Sequence, residues 1–400
     1  MKLKLGKPQI KGDKVIWIVY LVLSVLSLIF VFSSMGKVVY HTNGDITRMF
    51  IKQVGIIVGG IALTYFVHHF KYTTYKRFKN TGYGFSLFLL SITLLIGGLF
   101  GKAANRWLEL PIIGQLQPSE IVKYILIVYV AAELSELKSK IKDKVEFWKL
   151  VGKIVLVCGL IVLENFSTAF IIFLACFLLL FIGGARFKYL LLIVSFGLLV
   201  VLGFAGADAL GIEIGRNFTW VNRVESFLNN DPNEANQYNY AIMAIATGGT
   251  MGVGIGNTVM ARFLSESHND FIFSVILEQG GIFICILILL AYFILFYRCL
   301  LVSREAKGLF GAYAAAGISF VIIIQALINM IVATGLSPIT GQTLPFLSYG
   351  GTSFLISSFA IGIILNISAE SKKAIEEEQH PTTDVVEKNS EIDNTNNNEI

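Results

Sequence analysis

The run VIWIVYLVLSVLSLIFVF, residues 15–32, carries no charged side chain and only two serines across 18 positions. A helix of that length nearly crosses a hydrocarbon core about 30 Å thick. Comparable apolar runs recur at 52–70, 84–101, 118–134, 151–165, 167–184, 189–207, 272–297, 309–334 and 346–368. With 15–34 they predict about ten membrane-crossing helices. The stretch 151–184 reads either as two short helices broken around Asn165 or as one irregular pair.

Composition agrees with a lipid solvent. The chain is 55% hydrophobic and 15% charged, whereas a soluble domain keeps roughly a quarter of its residues charged. The expected fold class is an all-α polytopic membrane protein, with a long extracytoplasmic loop between helices 7 and 8. Basic clusters alternate along the chain: Lys2 to Lys14, Lys71 to Lys79, Lys138 to Lys149, Arg186 with Lys188, Arg298 to Lys307, and Lys372 with Lys373. The positive-inside rule then puts both termini in the cytoplasm. The first run, longer than a signal-peptide core and without a small-residue cleavage site, is expected to stay as an anchor.

The net charge of +5 comes largely from these inner loops, so it argues for topology and against nucleic-acid binding. Cys158, Cys176, Cys285 and Cys299 lie in or at the ends of apolar runs without paired spacing, and the five histidines lack metal-ligand spacing. Neither disulfides nor a protein-held metal is expected. No internal repeat is visible, which lowers the case for a transporter. Residues 1–370 form the expected transmembrane domain, and 371–400, acidic and Asn-rich, the expected disordered cytoplasmic tail.

Three polar segments converge on the outer face: NRWLELPIIGQLQPSEIVK (105–123), the end of the long insertion 208–270, and GLSPITGQTLPFLSYGGTS (335–353). Such convergence outlines a candidate site. Glu120 and Lys123, three residues apart at the head of a helix, can pair; a charge there is a functional candidate or a packing device. Asp270 precedes the apolar FIFSVILEQGG and suits a general base, although an N-cap is the commoner use of such an aspartate. Arg106, Arg216, Arg223 and Arg262 are cations on the side where topology gives no reason for them. They suit a pyrophosphate, a lipid headgroup, or ion pairs with Glu109, Glu213, Glu225 or Glu266. His268 lies two residues before Asp270, and Glu164 and Glu278 are weaker candidates for polar packing or a substrate path. GGTMGVGIGN (248–257) has no strand before it, so it is no nucleotide loop. It reads as packing glycines or an anion nest, and LSYGG (347–351) as a kink or a packing site.

Taken in order, NRW…QPSEIVK, ESHNDFIF…EQGG and SPITGQTLPFLSYGGTS resemble the signatures of the SEDS family (shape, elongation, division, sporulation) over roughly residues 10–370. The resemblance implies a peptidoglycan glycosyltransferase that joins lipid II units, with catalysis depending on Asp270. It also implies importance for Arg106, Trp107, Pro118, Ser119, Glu120, Lys123, Pro345, Ser348, Gly350 and Gly351. Thr343 before Leu344 and Pro345 resembles the division branch more than the elongation branch. A cognate class B penicillin-binding transpeptidase and other divisome membrane proteins are the implied partners. A divalent cation, Mg²⁺ or Mn²⁺, would be held mainly by the substrate pyrophosphate. The chain departs from the family at Glu164 to Thr168, where many members read Pro-Asp-x-Gly-Thr, at Thr340 and at Ser265. A lipid II flippase and a non-catalytic scaffold for the transpeptidase are the rival readings.

Overall fold

The computed structural model describes residues 12–34, 46–99, 108–110, 114–209, 227, 232–264 and 267–379. A helix coincides with each of the ten expected runs: α1 (Lys14–Ser34), α2 (Ile46–Val67), α3 (Lys79–Leu99), α4 (Pro118–Leu137), α5 (Lys144–Glu164), α6 (Phe166–Ile182), α7 (Phe187–Ala209), α9 (Ile272–Glu305), α10 (Leu309–Ala333) and α11 (Gly351–Gln379). Five of them, α1, α2, α9, α10 and α11, are by themselves long and apolar enough to cross a membrane. A further helix, α8 (Pro232–Gly248), lies inside the insertion expected to be a polar loop. A small antiparallel hairpin, Leu108–Leu110 with Gly114–Leu116, precedes α4.

Boundaries follow local chemistry. Pro118 opens α4, where its missing N–H costs nothing. Asn165 ends α5 and caps α6, accepting N–H groups from Ser167 at 3.1 Å and Thr168 at 3.3 Å, so the two-helix reading of 151–184 holds. Two expectations shift. The last helix starts at Gly351 rather than 346 because residues 345–350 are bonded to the loop before α9, and it runs to Gln379, past the tail boundary at 371. Residues 380–400 lie outside the described residues.

α10 is the central helix: 83% of its membrane window is buried, against 28% for α9. It packs on α9, α4 and α6, while α11 lies along α2 and α1 along α9. Lipid tails are as apolar as side chains, so such bundles rest on close packing and interhelical hydrogen bonds, about 0.6 kcal/mol apiece. Ser27 donates to the Leu347 carbonyl at 2.9 Å, Thr64 to that of Ser358 at 2.9 Å, and Ser274 to that of Ala333 at 3.0 Å.

α9 breaks at Gly281 (φ 69°, ψ −178°), which separates a fully buried short helix, Ile272–Gly280, from the long outer stretch. Residues 249–264 wrap this short helix. Val253 N–H donates to the Glu278 carbonyl at 2.9 Å and Gly254 N–H to that of Gln279 at 3.1 Å. Any Cβ on Gly252 would overlap the Gln279 carbonyl, and one on Gly281 the Thr250 carbonyl. The glycine run is therefore a packing surface. Glu278, 0% exposed, has its carboxylate held by the N–H groups of Val259, Met260 and Ala261 at 2.8, 2.6 and 3.0 Å. It serves polar packing.

On the face where α1 begins, Asp13 caps α1 through the N–H groups of Val15 (2.8 Å) and Ile16 (3.2 Å), and pairs with Arg298 of α9. Burial pushes its carboxyl up, but the Arg298 hydrogen bond, the Ile16 N–H, the Arg298 charge and the Val15 N–H together hold it below the ordinary carboxylate value. A depressed folded-state pKa contributes stability above the unfolded value, and that stability is lost as pH falls through the folded value. In detergent, Asp13→Ala should lower unfolding stability by about 0.5–2 kcal/mol at neutral pH through loss of the cap. Asp13→Asn should keep the cap, and its deficit relative to wild type should begin to shrink below pH ~4 and vanish once the pH passes below the folded-state value. A deficit unchanged by pH would remove the charge from this account.

Candidate active site

The site sits where the loop before α9, the loop 334–350 and the head of α4 meet α10. Phe271, not Asp270, holds the N-cap position of α9, and the Phe271 side chain makes no cap bond. Asp270 thus lies one residue before the N-cap position, and it is half-buried at the mouth of a buried helix. An added Cβ on Gly341 (φ 65°) would sit 3.6 Å from Asp270 Oδ2, so this glycine faces the carboxylate.

The loop that carries Asp270 is bolted to the loop 334–350. Ser348 Oγ donates to the Asn269 carbonyl at 2.7 Å and accepts the Leu344 N–H at 2.7 Å. Tyr349 N–H donates to the His268 carbonyl at 2.8 Å, and the His268 and Tyr349 rings meet edge to face at 5.5 Å. From below, Asn329 of α10 donates to the Asp270 carbonyl at 2.8 Å. Ser348 and Tyr349 thus hold the backbone just before Asp270, and Asn329 holds the Asp270 carbonyl itself.

Glu120 and Lys123 do pair, at 2.6 Å, with side chains 6% and 1% exposed. They are buried inside the bundle at the head of α4. Lys123 Nζ also donates to Gln325 Oε1 at 2.7 Å, and Glu120 accepts Ser353 Oγ at 2.9 Å. Ser353 meets Thr343 Oγ1 at 3.1 Å, and Gln325 Nε2 reaches the Thr343 carbonyl at 2.9 Å, closing a ring of polar groups. Complete hydrogen bonding is what lets charge persist in an apolar interior. Lys123 pairs with Glu120 and not with Asp270.

Gly350 and Gly351 sit at the start of α11, where a Cβ on Gly351 would lie 3.2 Å from Ile56 of α2, a packing contact. Arg262 is exposed and donates to the Val259 carbonyl at 2.8 Å. Arg106, Trp107, Arg216 and Arg223 lie outside the described residues. Gln325, Asn329, Gln342, Thr343 and Ser353 were not among the candidates. Their signal was present: Gln325 and Asn329 are four apart in the otherwise apolar VIIIQALINMIVA (321–333), and polar groups at membrane depth mark function by default. The departure at Glu164 to Thr168 still joins the site, because Gln342 Nε2 donates to Thr168 Oγ1 at 3.1 Å.

Fold and site together define a polytopic integral membrane protein with a carboxylate poised at the mouth of a buried helix. A family model described as "Cell cycle protein" and labelled for FtsW, RodA and SpoVE matches residues 13–373, and the chain belongs to this SEDS family. A Coxiella burnetii protein named probable peptidoglycan glycosyltransferase FtsW is 33% identical, over 89% of this chain and 96% of that protein. The stage V sporulation protein E of Bacillus subtilis is 31% identical, over 90% and 98%. Among solved structures, a chain from a peptidoglycan synthase complex superposes with TM-score 0.72 at 22% identity, covering 90% of this chain and 98% of that one. Thermus thermophilus RodA, a rod shape determining protein, superposes with TM-score 0.64 at 20% identity, covering 90% and 97%.

Proposed function

We propose that this chain is a peptidoglycan glycosyltransferase of the bacterial inner membrane that polymerises lipid II during cell division. Its active face is extracytoplasmic and both termini are cytoplasmic. The observation that carries the reading is the Asp270 carboxylate, facing Gly341 and held on a loop fixed by Ser348, Tyr349 and Asn329. Positioned general bases accelerate proton transfer only when geometry is fixed. The names of the relatives supply the reaction class, and the family resemblance supplies lipid II and the class B penicillin-binding transpeptidase as partners.

In the proposed reaction Asp270 takes the proton of the acceptor GlcNAc 4-hydroxyl as its oxygen attacks the anomeric carbon of the donor MurNAc. The bond from that carbon to the pyrophosphate oxygen breaks, and undecaprenyl pyrophosphate leaves with the electron pair. An α donor linkage becomes a β product linkage in one displacement, so no enzyme nucleophile is required. Among the described residues no three His, Cys, Asp or Glu side chains gather. A divalent cation would be held mainly by the pyrophosphate and would neutralise charge on the leaving group. An apolar cleft of ≈ 640 Å³ between α2, α3, α4 and α11, lined by Leu63, Phe85, Ile125 and Phe359, suits an isoprenoid tail.

The test is polymerisation of purified lipid II by the reconstituted chain with its cognate transpeptidase. Glycan ladders are expected; none, with folding and partner capture verified, would overturn the reading. Gly341→Ala would bring a Cβ only into ordinary contact with Asp270, but at φ 65° it adds backbone strain of about 1–2 kcal/mol, and the loop shift that relieves this strain should cut the rate roughly tenfold; an unchanged rate would place the acceptor elsewhere. The flippase reading gains one observation, the buried Glu120–Lys123 pair. Transbilayer movement of labelled lipid II that survives Asp270→Ala would favour it.

A further inference from the structure

Gln325 and Asn329 lie one turn apart on α10, 0% and 1% exposed. Asn329 Nδ2 donates to two carbonyls, those of Asp270 at 2.8 Å and Gln342 at 2.7 Å. Gln325 Nε2 donates to the Thr343 carbonyl at 2.9 Å while its Oε1 accepts Lys123 Nζ at 2.7 Å. The orientation of both amides is dictated: carbonyl oxygens only accept, and an ammonium only donates. Two stacked carboxamides therefore grip the adjacent carbonyls of Gln342 and Thr343. One end of this ladder is tied to the Glu120–Lys123 pair and the other to the backbone of Asp270.

A helix buried among apolar neighbours has no packing need for two carboxamides, and leaving their partners unbonded would be costly. We propose that Gln325 and Asn329 are positioning residues. They hold the Asp270 carboxylate at a fixed height against the loop 340–343, and bring the charge pair into register with it. The inference rests on the polymerase reading and adds residues that act through Asp270 rather than on substrate. Misplacing a reacting group by about 1 Å can cost ~10²-fold in rate, with little effect on binding.

The experiment compares wild type, Asn329→Leu and Gln325→Met in the reconstituted lipid II assay. Both replacements match the original side chains in size and suit an apolar interior, so transpeptidase capture should stay at the wild-type level. Expected is a ~10–100-fold loss in kcat for Asn329→Leu, a smaller loss for Gln325→Met, and KM for lipid II within about twofold of wild type. A kcat within about twofold of wild type in both variants, or a loss carried wholly by KM, would overturn the proposal. If Asn329→Leu no longer captures the transpeptidase, Gln325→Met, which leaves the Glu120–Lys123 bond intact, decides by the same kinetic split. Loss of capture in both would show a purely structural role and also overturn it. A wild type that makes no glycan would remove the polymerase reading and this inference together; an active wild type with unaffected variants removes the inference alone.

Discussion

Asp270→Ala is expected to lower lipid II polymerisation by about 10²–10⁴-fold, the usual contribution of a positioned general base. Folding should survive, because the bond from Asn329 runs to the Asp270 backbone carbonyl, which alanine keeps. The N-cap position itself belongs to Phe271. Asp270→Asn sharpens the test. Asparagine caps helices as well as aspartate does and preserves shape, but it cannot accept a proton at neutral pH. Both variants should bind lipid II and transpeptidase at wild-type levels while making no measurable glycan. Turnover by Asp270→Asn near the wild-type rate would end the base assignment and leave Asp270 a structural residue.

Lys123→Ala should cost about 3–5 kcal/mol of stability, because it strands the buried Glu120 carboxylate without its cation. Glu120 would retain Ser353 Oγ at 2.9 Å, and Gln325 Oε1 would lose its donor. Unfolding in detergent reads this directly. The double change Lys123→Met with Glu120→Gln removes both charges, and replacing a buried pair by neutral groups is often nearly neutral for stability. It should recover most of the lost stability while polymerisation stays well below wild type, since the link from Gln325 to the pair is gone. A double variant that remains as unstable as Lys123→Ala would show that the pair contributes through hydrogen bonds more than through charge. Full activity in a stable double variant would confine Glu120 and Lys123 to the fold.

Much of the fold was legible because lipid leaves the backbone few choices. A run such as 15–32 must satisfy its polar groups within itself, so length and apolarity suffice to place a helix. The break at Asn165 was legible as well, as a capping residue between two short runs. What escaped was non-helical backbone at depth. Nothing local separates Gly281, where α9 breaks, from Gly280, which remains helical; the difference is the approach of the Thr250 carbonyl, contributed by a distant segment. The insertion 208–270 read as loop because the helix Pro232–Gly248 begins with PNEANQYN, too polar to stand out among the apolar runs.

For the site, the sequence by itself determined which chemistry-bearing residues were present: Asp270, His268, Ser348 and the Glu120–Lys123 pair at helical spacing. Spacing of three residues dictates contact on a helix, and the pair forms. Only the tertiary structure decided what surrounds each one. The pair is buried and Lys123 does not pair with Asp270, the N-cap position goes to Phe271, and Gln325 and Asn329 bridge segments that lie far apart in the chain. The physical reason is range: helix formation and pairing within a turn are settled by neighbours a few residues away. The partners of a buried carboxamide are set by how separate helices and loops pack.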